Sequence, residues 1–231
     1  MEFLKNNAKN IGIELNDNQL NKFKIYMDYL LEYNSHTNLT AITTPNDIMI
    51  KHFLDSIIIN KYVDIKKGSK IIDVGTGAGF PGVPLKIYNP DINLTLVDSL
   101  NKRITFLNNL MDKTNLNAEI YHARAEELSL DSKFREKFDF SVSRAVAPLN
   151  ILSEYCLPYV KKGGFLLALK GPEVNDEIKS AEKIINILGG EFKECHSFEL
   201  PLSMGNRTLI IIEKKRGTPK GYPRKNSKIK S

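Results

Sequence analysis

The sequence predicts an α/β protein with a mostly parallel sheet of seven strands and an N-terminal helical extension. Three observations support this prediction. Strand-like and helix-like segments alternate from residue 66 onward, which is typical of parallel sheets with crossover helices. A glycine-rich turn follows the first of these strands. The last two strands, 191–200 and 208–213, are joined by a short link, so they should form an antiparallel pair.

The composition permits one large domain with an ordinary hydrophobic core. The chain has 231 residues, of which 42% are hydrophobic. Its two cysteines, Cys156 and Cys195, show no metal-type spacing with each other or with the four histidines, so we expect no disulfide framework and no metal. We find no signal peptide and no apolar run of membrane-spanning length, and therefore expect a cytoplasmic protein. We also expect it to be a monomer.

Residues 1–65 are predicted to form a helical extension packed on the main domain. Between residues 19 and 33, apolar residues recur every three or four positions, which indicates an amphipathic helix. A second helix over 47–60 carries His52 and Asp55. These two residues lie three positions apart, so we expect an internal hydrogen-bonded pair that fixes the extension. A direct role in a site is the alternative.

The stretch 70–82 predicts a ligand-binding turn between a buried strand and a helix. Its glycines stand at alternate positions and let the backbone approach a ligand closely; they are Gly75, Gly77 and Gly79. A dinucleotide fingerprint needs glycine at the sixth position, where this chain has Phe80. The pattern D-x-G-x-G-x-G from Asp73 instead resembles the S-adenosylmethionine site of class I (Rossmann-like) methyltransferases.

The second strand, 93–97, ends in Asp98, 23 residues after Gly75. An acidic residue there is placed to accept hydrogen bonds from ribose hydroxyls. The helix over 100–113 follows, with Lys102 and Arg103 in its first turn. Cations oppose the helix dipole at that end, so these two side chains could contact an anion at the mouth of the site; a solvated face is the alternative.

The remaining strands and helices complete the sheet. The third strand, 118–123, leads into Ala125 and Glu126, which in this fold border the adenine pocket. The fourth, 138–142, is followed by Arg144 and by a helix reaching residue 159. After a turn at 163–164, the fifth strand, 165–169, ends in Lys170, and a helix over 173–188 precedes the antiparallel pair.

The net charge of +6 is concentrated at the C-terminus. Residues 214–231 hold no acid and eight basic residues, and removing these from the 33 of the chain leaves 25 against 27 acidic residues. With its glycines and prolines, this segment is predicted to be a flexible basic tail after a domain over 66–213. Such arms often bind nucleic acid, and a solubilising tail is the alternative. Its first basic residues are candidate RNA contacts: Lys214, Lys215 and Arg216.

Several stretches together resemble one family. They are NLTAI at 38–42, KHFLDS at 51–56, DVGTGAGFPG at 73–82, LVDSLNKRITFL at 96–107, SRAVAPL at 143–149 and ALKG at 168–171. They resemble the RsmG (GidB) family of bacterial 16S rRNA guanine-N7 methyltransferases. The resemblance implies S-adenosylmethionine in the first turn and a guanine of small-subunit RNA as substrate. The cofactor contacts it implies are Gly75, Phe80, Ala125, Glu126 and Arg144.

The chemistry of this reaction agrees with the residues present. Guanine N7 is an acceptor in normal duplexes and carries a free lone pair, so methylation needs no general base. The enzyme then has only to position the guanine against the methyl donor and to exclude water. Arg144 and Lys170 end neighbouring strands at the edge that holds the glycine turn, and are the candidate catalytic residues; a cation there could hold guanine O6. A nicotinamide-dependent oxidoreductase, a non-enzymatic RNA-binding factor and a small-molecule methyltransferase remain as alternatives.

Overall fold

The computed structural model describes residues 1–229, and its described part contains a seven-stranded sheet with the order β3-β2-β1-β4-β5-β7-β6. The first five strands pair in parallel, while β7 is antiparallel to both β5 and β6. This confirms the predicted fold class and the closing antiparallel pair. The strands are β1 (Lys70–Val74), β2 (Asn93–Asp98), β3 (Glu119–His122), β4 (Phe138–Arg144), β5 (Val160–Lys170), β6 (Gly190–Glu199) and β7 (Asn206–Lys214).

Helices cover both faces of the sheet. Along β5, Leu167 and Leu169 join the hydrophobic cluster on the face of the N-terminal helices, while Leu166 and Ala168 join the cluster on the other face. This alternation follows from the two-residue period of a strand. The helices are α1 (Glu2–Asn10), α2 (Asp17–Thr37), α3 (Pro45–Asp47), α4 (Asp55–Ile57), α5 (Gly82–Tyr88), α6 (Asn101–Thr114), α7 (Ala125–Leu128), α8 (Leu149–Cys156), α9 (Asn175–Ile187) and α10 (Asn226–Ile229).

Strand β5 begins earlier than the sequence predicts. The turn expected at residues 163–164 is a bulge within the strand, because Val160 pairs with Phe138 and the register then shifts to Phe165 opposite Phe140. Gly163 takes the left-handed conformation, with φ of +81°. A Cβ on Gly164 would lie 2.5 Å from the carbonyl oxygen of Asp139. Glycine is therefore needed for the bulge and does not mark a chain reversal here.

The N-terminal helices pack directly on the glycine turn. Tyr26 of α2 is fully buried, and its hydroxyl donates to the carbonyl oxygen of Ala78 at 2.5 Å. Its ring stacks on Phe80 with centroids 5.3 Å apart. Between α3 and α4, residues Ile48–Leu54 form a π-helical stretch. Such wide turns often occur at functional sites, and this one leads to the wall of the main cleft.

The C-terminal strap, residues 215–229, crosses the face of the sheet that carries α8 and α9. The Arg135 guanidinium donates to the carbonyl oxygens of Thr218 and Tyr222, each at 2.9 Å. Arg224 binds the carboxylate of Glu154, a side chain with no exposed surface. The strap therefore satisfies a buried charge of the domain, as an ordered segment does.

This arrangement differs from the flexible tail that the composition predicts. The composition of the strap shows too few apolar residues for it to fold independently. It does not show that Arg135 and Glu154 of the domain bind the strap. Lys214 is the last residue of β7 and is fully buried, with its ammonium donating to the carbonyl oxygen of Leu157 at 2.7 Å. Burial lowers the pKa of Lys214 to about 8. Lys230, also predicted to belong to the tail, lies outside the described residues.

Candidate active site

A cleft of about 870 Å³ opens at the carboxyl ends of β1, β2, β4 and β5. Ligands of doubly wound sheets bind at this edge, next to the point where the strand order reverses. Here β1 has β2 on one side and β4 on the other, so the turn after β1 lies at that point. Most of the predicted site residues line the cleft: Gly75, Gly77, Phe80, Asp98, Arg103, Ala125, Glu126, Arg144 and Lys170.

The three glycines of the turn have different roles. All have positive φ, at +70° for Gly75, +61° for Gly77 and +104° for Gly79, which favours glycine. A Cβ on Gly77 would meet no heavy atom of the described residues within 4 Å, so this backbone lies open to the cleft. A Cβ on Gly75 would lie 2.6 Å from Cγ2 of Val146. Gly77 therefore fits a backbone surface that a ligand approaches closely, whereas Gly75 leaves room for the Val146 side chain.

Gly79 is not brought to the cleft, contrary to its prediction as a cofactor contact. It is buried, and a Cβ there would lie 2.7 Å from the Tyr26 hydroxyl and 2.8 Å from Val83. The physical reason is that the chain has already turned away from the ligand side to begin α5. Gly79 therefore permits the close approach of α2 to the turn.

Asp98 organises the ligand side of the turn. Its carboxylate, which is almost completely buried, accepts hydrogen bonds from the backbone N–H groups of Gly77 at 2.9 Å and Leu100 at 3.0 Å. Arg103 pairs with the same carboxylate at 3.0 Å. The structure thus places Asp98 at the end of β2 beside the turn, and its contact with a ribose stays a prediction. Arg103 forms part of the cleft wall here, whereas Lys102 donates to the carbonyl oxygen of Thr37 at 3.0 Å and does not line the cleft.

Glu126 places an acceptor without a partner in the wall of the cleft. The side chain is 7% exposed, and its Oε1 has no hydrogen-bond partner among the described residues. Next to it, the carbonyl oxygen of Ala125 accepts from the Tyr159 hydroxyl at 2.6 Å. A buried carboxylate oxygen without a donor is costly unless a ligand supplies one. This feature, together with the open backbone at Gly77, fits an adenosine-containing ligand with hydroxyl and amino donors.

Arg144 is held by the π-helical stretch of the N-terminal extension. Its NH1 donates to the carbonyl oxygen of Lys51 at 2.9 Å and to the carboxylate of Asp55 at 2.8 Å, and its NH2 lies 2.8 Å from Nδ1 of His52. Burial and the Arg144 charge lower the pKa of His52 to about 3, so the imidazole is neutral. Neutral Nδ1 then accepts from Arg144, and Nε2 donates to Thr40 at 3.0 Å.

The expected hydrogen bond between His52 and Asp55 does not occur among the described contacts. The two side chains share Arg144 instead, and Asp55 also lies 3.4 Å from Nε of Arg207 in an ion pair. Asp55 is almost completely buried, and its carboxylate faces the guanidinium groups of both Arg144 and Arg207. Arg207, at the start of β7, lines the cleft and was not predicted from the sequence. No sequence motif indicated it, since only the tertiary fold brings β7 beside Asp55.

Lys170 fixes the loop after β4. Its ammonium donates to the carbonyl oxygen of Ala147 at 2.6 Å and to the carboxylate of Glu177 at 2.7 Å. Glu177 in turn accepts from the backbone N–H of Leu149, the first residue of α8. Ala145 in this loop has a positive φ of +55°. Lys170 therefore holds a strained loop in place at the edge of the cleft.

Asp73 supports the turn from below. It is fully buried, and its Oδ2 accepts from the Thr76 hydroxyl at 2.7 Å and from the backbone N–H of Gly82 at 2.8 Å. Its Oδ1 has no hydrogen-bond partner among the described residues. Burial therefore raises the pKa of Asp73 to about 7, although the two hydrogen bonds act in the opposite direction.

The architecture is shared with solved structures of low sequence identity. A Listeria monocytogenes protein assigned to the class I S-adenosylmethionine-dependent methyltransferases superposes with a TM-score of 0.59 at 16% identity, over 86% of this chain and 71% of that one. TYW2 from M. jannaschii, solved in complex with AdoMet, gives a TM-score of 0.52 at 12% identity, over 69% and 76%. The chain thus has the fold of the class I S-adenosylmethionine-dependent methyltransferases.

The family follows from sequence. The family model described as rRNA small subunit methyltransferase G matches residues 19–209. Two relatives carry the name ribosomal RNA small subunit methyltransferase G. The one from Clostridium novyi is 50% identical over 219 residues, which cover 94% of this chain and 90% of the relative. The one from Lactobacillus acidophilus is 47% identical over 226 residues, which cover 96% of this chain and 94% of the relative. The chain belongs to this family, and the predicted family, enzyme class and cofactor are confirmed.

The part of the chain that the structure describes contains neither a membrane-spanning helix nor a metal-binding cluster of side chains. No helix is both long enough and apolar enough to cross a membrane. No group of three or more His, Cys, Asp and Glu side chains is placed to hold a metal ion.

Proposed function

We propose that the protein methylates N7 of one guanine in the 16S rRNA of the small ribosomal subunit. The names of its relatives support a small-subunit RNA as the substrate. When bound, S-adenosylmethionine supplies the methyl group as an electrophile. The cleft-lining residues proposed to hold it are Gly75, Gly77, Phe80, Asp98, Ala125, Glu126 and Arg144.

The ionisable groups near Arg144 support a nucleophile that needs no deprotonation. His52 has a pKa of about 3 and both ring nitrogens are engaged, so it is a poor base at neutral pH. The Asp55 carboxylate forms ion pairs with Arg144 and Arg207, so it is already engaged by two cations. Guanine N7 carries its lone pair at neutral pH. A ring nitrogen is therefore a better match for this site than an amino or hydroxyl group.

The observation that carries the proposal is the arrangement of donors on Arg144. A guanidinium has five N–H donors, and three are used by Lys51, Asp55 and His52. Two donors, one on Nε and one on NH2, remain without partners among the described residues. One of them can bind guanine O6 while N7 stays free for the methyl group. Adenine has an amino group at that position, so this hydrogen bond selects guanine.

Lys170 is proposed to act through the loop that it holds. Its contacts with Ala147 and Glu177 fix the chain that follows Arg144, so its loss should displace the substrate side of the cleft. Geometry of this kind matters because small misplacements of reacting groups slow a reaction strongly.

The proposed RNA contacts differ in how accessible they are. Lys102, Lys215 and Arg216 are exposed and can reach phosphates, whereas Lys214 is buried and Arg103 is paired with Asp98. Each exposed cation that neutralises a phosphate should add about 0.7 to the salt slope of single-stranded RNA binding. We propose that the protein acts as a monomer, in the cytoplasm where the ribosomal RNA lies.

The test uses small ribosomal subunits and naked 16S rRNA from cells that lack this protein. Purified protein is added with methyl-labelled S-adenosylmethionine, and the labelled nucleotide is mapped. We expect label at one guanine, with strand cleavage there after reduction and aniline treatment, which is specific for N7 methylation. Label without cleavage would contradict N7 as the acceptor. Absence of label on both RNA forms, with cofactor binding intact, would contradict the rRNA substrate.

A further inference from the structure

The C-terminal strap reaches the cofactor cleft through Asn226, which is among the residues that line it. The Tyr155 hydroxyl donates to Oδ1 of Asn226 at 2.8 Å, and Tyr155 itself lines the cleft. The strap is held there by Arg224 on the buried Glu154 and by Ile229, which packs into the hydrophobic cluster of α8 and α9. Asn226 is thus fixed on both sides along the chain.

The neighbours of Asn226 in the cleft indicate which part of the cofactor this residue would contact. Asp98, the proposed ribose contact, ends β2 and accepts a hydrogen bond from the backbone N–H of Gly77 in the turn. Beyond it, the cleft is bordered by Ala125 and Glu126, which follow β3. Ala123, Ala147 and Ile151 line the cleft and belong, with Ala125 and Tyr155, to one hydrophobic cluster, and this apolar lining suits a flat base. Tyr155 and Asn226 belong to this same end.

We propose that Asn226 is an adenine-binding residue of the cofactor cleft, and that the strap forms one wall of the adenine pocket. With Oδ1 engaged by Tyr155, the amide Nδ2 has no partner among the described residues and is available as a donor. Adenine presents unprotonated ring nitrogens as acceptors, and an asparagine amide matches them in geometry. The donor of Asn226 complements the acceptor that Glu126 supplies for the amino group.

The proposal rests on the cofactor and not on the position that is methylated. It is therefore tested without RNA, by calorimetric titration of the full-length protein with S-adenosylhomocysteine and with 5′-methylthioadenosine, which keeps the adenosine and lacks the amino-acid part. Asn226→Ala should weaken the binding of both ligands by about the same factor, on the order of tenfold for one lost hydrogen bond in a cleft. Tyr155→Phe, which removes only the orienting hydroxyl, should weaken both by a smaller factor.

The matched control is Lys225→Ala, an exposed neighbour on the strap that does not line the cleft. Its affinities should stay within about twofold of the wild type, and the unliganded melting temperatures of Lys225→Ala and Asn226→Ala should be similar because both side chains are at least partly exposed. Unchanged binding in Asn226→Ala would overturn the proposal. So would a loss confined to S-adenosylhomocysteine, or an equal loss in the control.

Discussion

The guanidinium of Arg144 lies over the ring of Phe80, with its central carbon 4.9 Å from the ring centroid. His52 stacks on the same ring at 4.3 Å. Phe80 occupies the position at which a dinucleotide-binding turn has its third glycine, and the aromatic ring there supports the cation and its neutral histidine partner. One residue thus links the cofactor turn to the arginine that is proposed to bind the substrate.

Replacing Arg144 by lysine tests whether the planar group is needed. Lysine keeps the charge but cannot serve Lys51, Asp55 and His52 while leaving donors for a substrate. We expect the single-turnover methylation rate to fall about 100-fold or more. Lys179→Arg, another charge-conserving change at an exposed residue of α9 outside the cleft, is the control and should remain within twofold. An Arg144→Lys rate close to that of the wild type would contradict the role.

Asp55→Asn should strongly destabilise the protein. The substitution removes the buried negative charge that faces both Arg144 and Arg207. Breaking one side of a buried ion pair costs about 3–5 kcal/mol, which corresponds to roughly 6–20 °C in melting temperature for a chain of this size. Asp28→Asn, which breaks an exposed pair with Lys24, should change it by less than about 2 °C. Equal shifts in the two variants would refute the buried network as a stabilising element.

Alanine substitutions at Gly77 and Gly79 should separate ligand binding from stability. Gly79→Ala places a Cβ against Tyr26 and Val83, so we expect a loss of about 2 kcal/mol or more in unfolding free energy from overpacking and the positive φ. Gly77→Ala has free space in the protein, and should lose only about 1 kcal/mol.

The binding of S-adenosylhomocysteine gives the second measurement on these variants. The Cβ of Gly77→Ala enters the cleft itself, so its affinity should fall more than its stability does. If Gly77→Ala bound S-adenosylhomocysteine with wild-type affinity, the backbone there would not be in contact with the cofactor.

Asp73 should make stability depend on pH. Its pKa is raised by burial to about 7, above the ordinary value of 3.8, so the folded protein holds this proton more tightly than the unfolded chain. The contribution of Asp73 to stability is therefore fully present below about pH 4 and decreases as the pH rises towards 7. Asn cannot ionise, so the free energy of unfolding of Asp73→Asn, measured relative to the wild type, should increase from pH 4 to pH 7. A constant difference across that range would contradict the raised pKa.

The order of strands and helices could be predicted because it depends on local patterns. Periodicity located the strands, and spacing placed Asp98 at the end of β2 beside the turn. The same reasoning could not distinguish Gly79 from Gly77, because the difference between them is the approach of Tyr26 from a helix 52 residues away. The place of Arg207 and Asn226 in the cleft could not be predicted for a similar reason. Neither belongs to a local motif, and only the paths of β7 and the C-terminal strap bring them to the cleft.

The position of β7 between β5 and β6 has a consequence for synthesis of the chain. Strand β6 is synthesised before β7, the strand with which it pairs in the sheet. It therefore stays unpaired until β7 has been made. Arg207, the second ion-pair partner of Asp55, is added with that last strand. Vectorial folding can therefore build the first five strands while the chain grows, but the cleft is finished only after β7 has been made and has paired. A growing chain of this enzyme has no complete cleft with which to modify the ribosome that is making it.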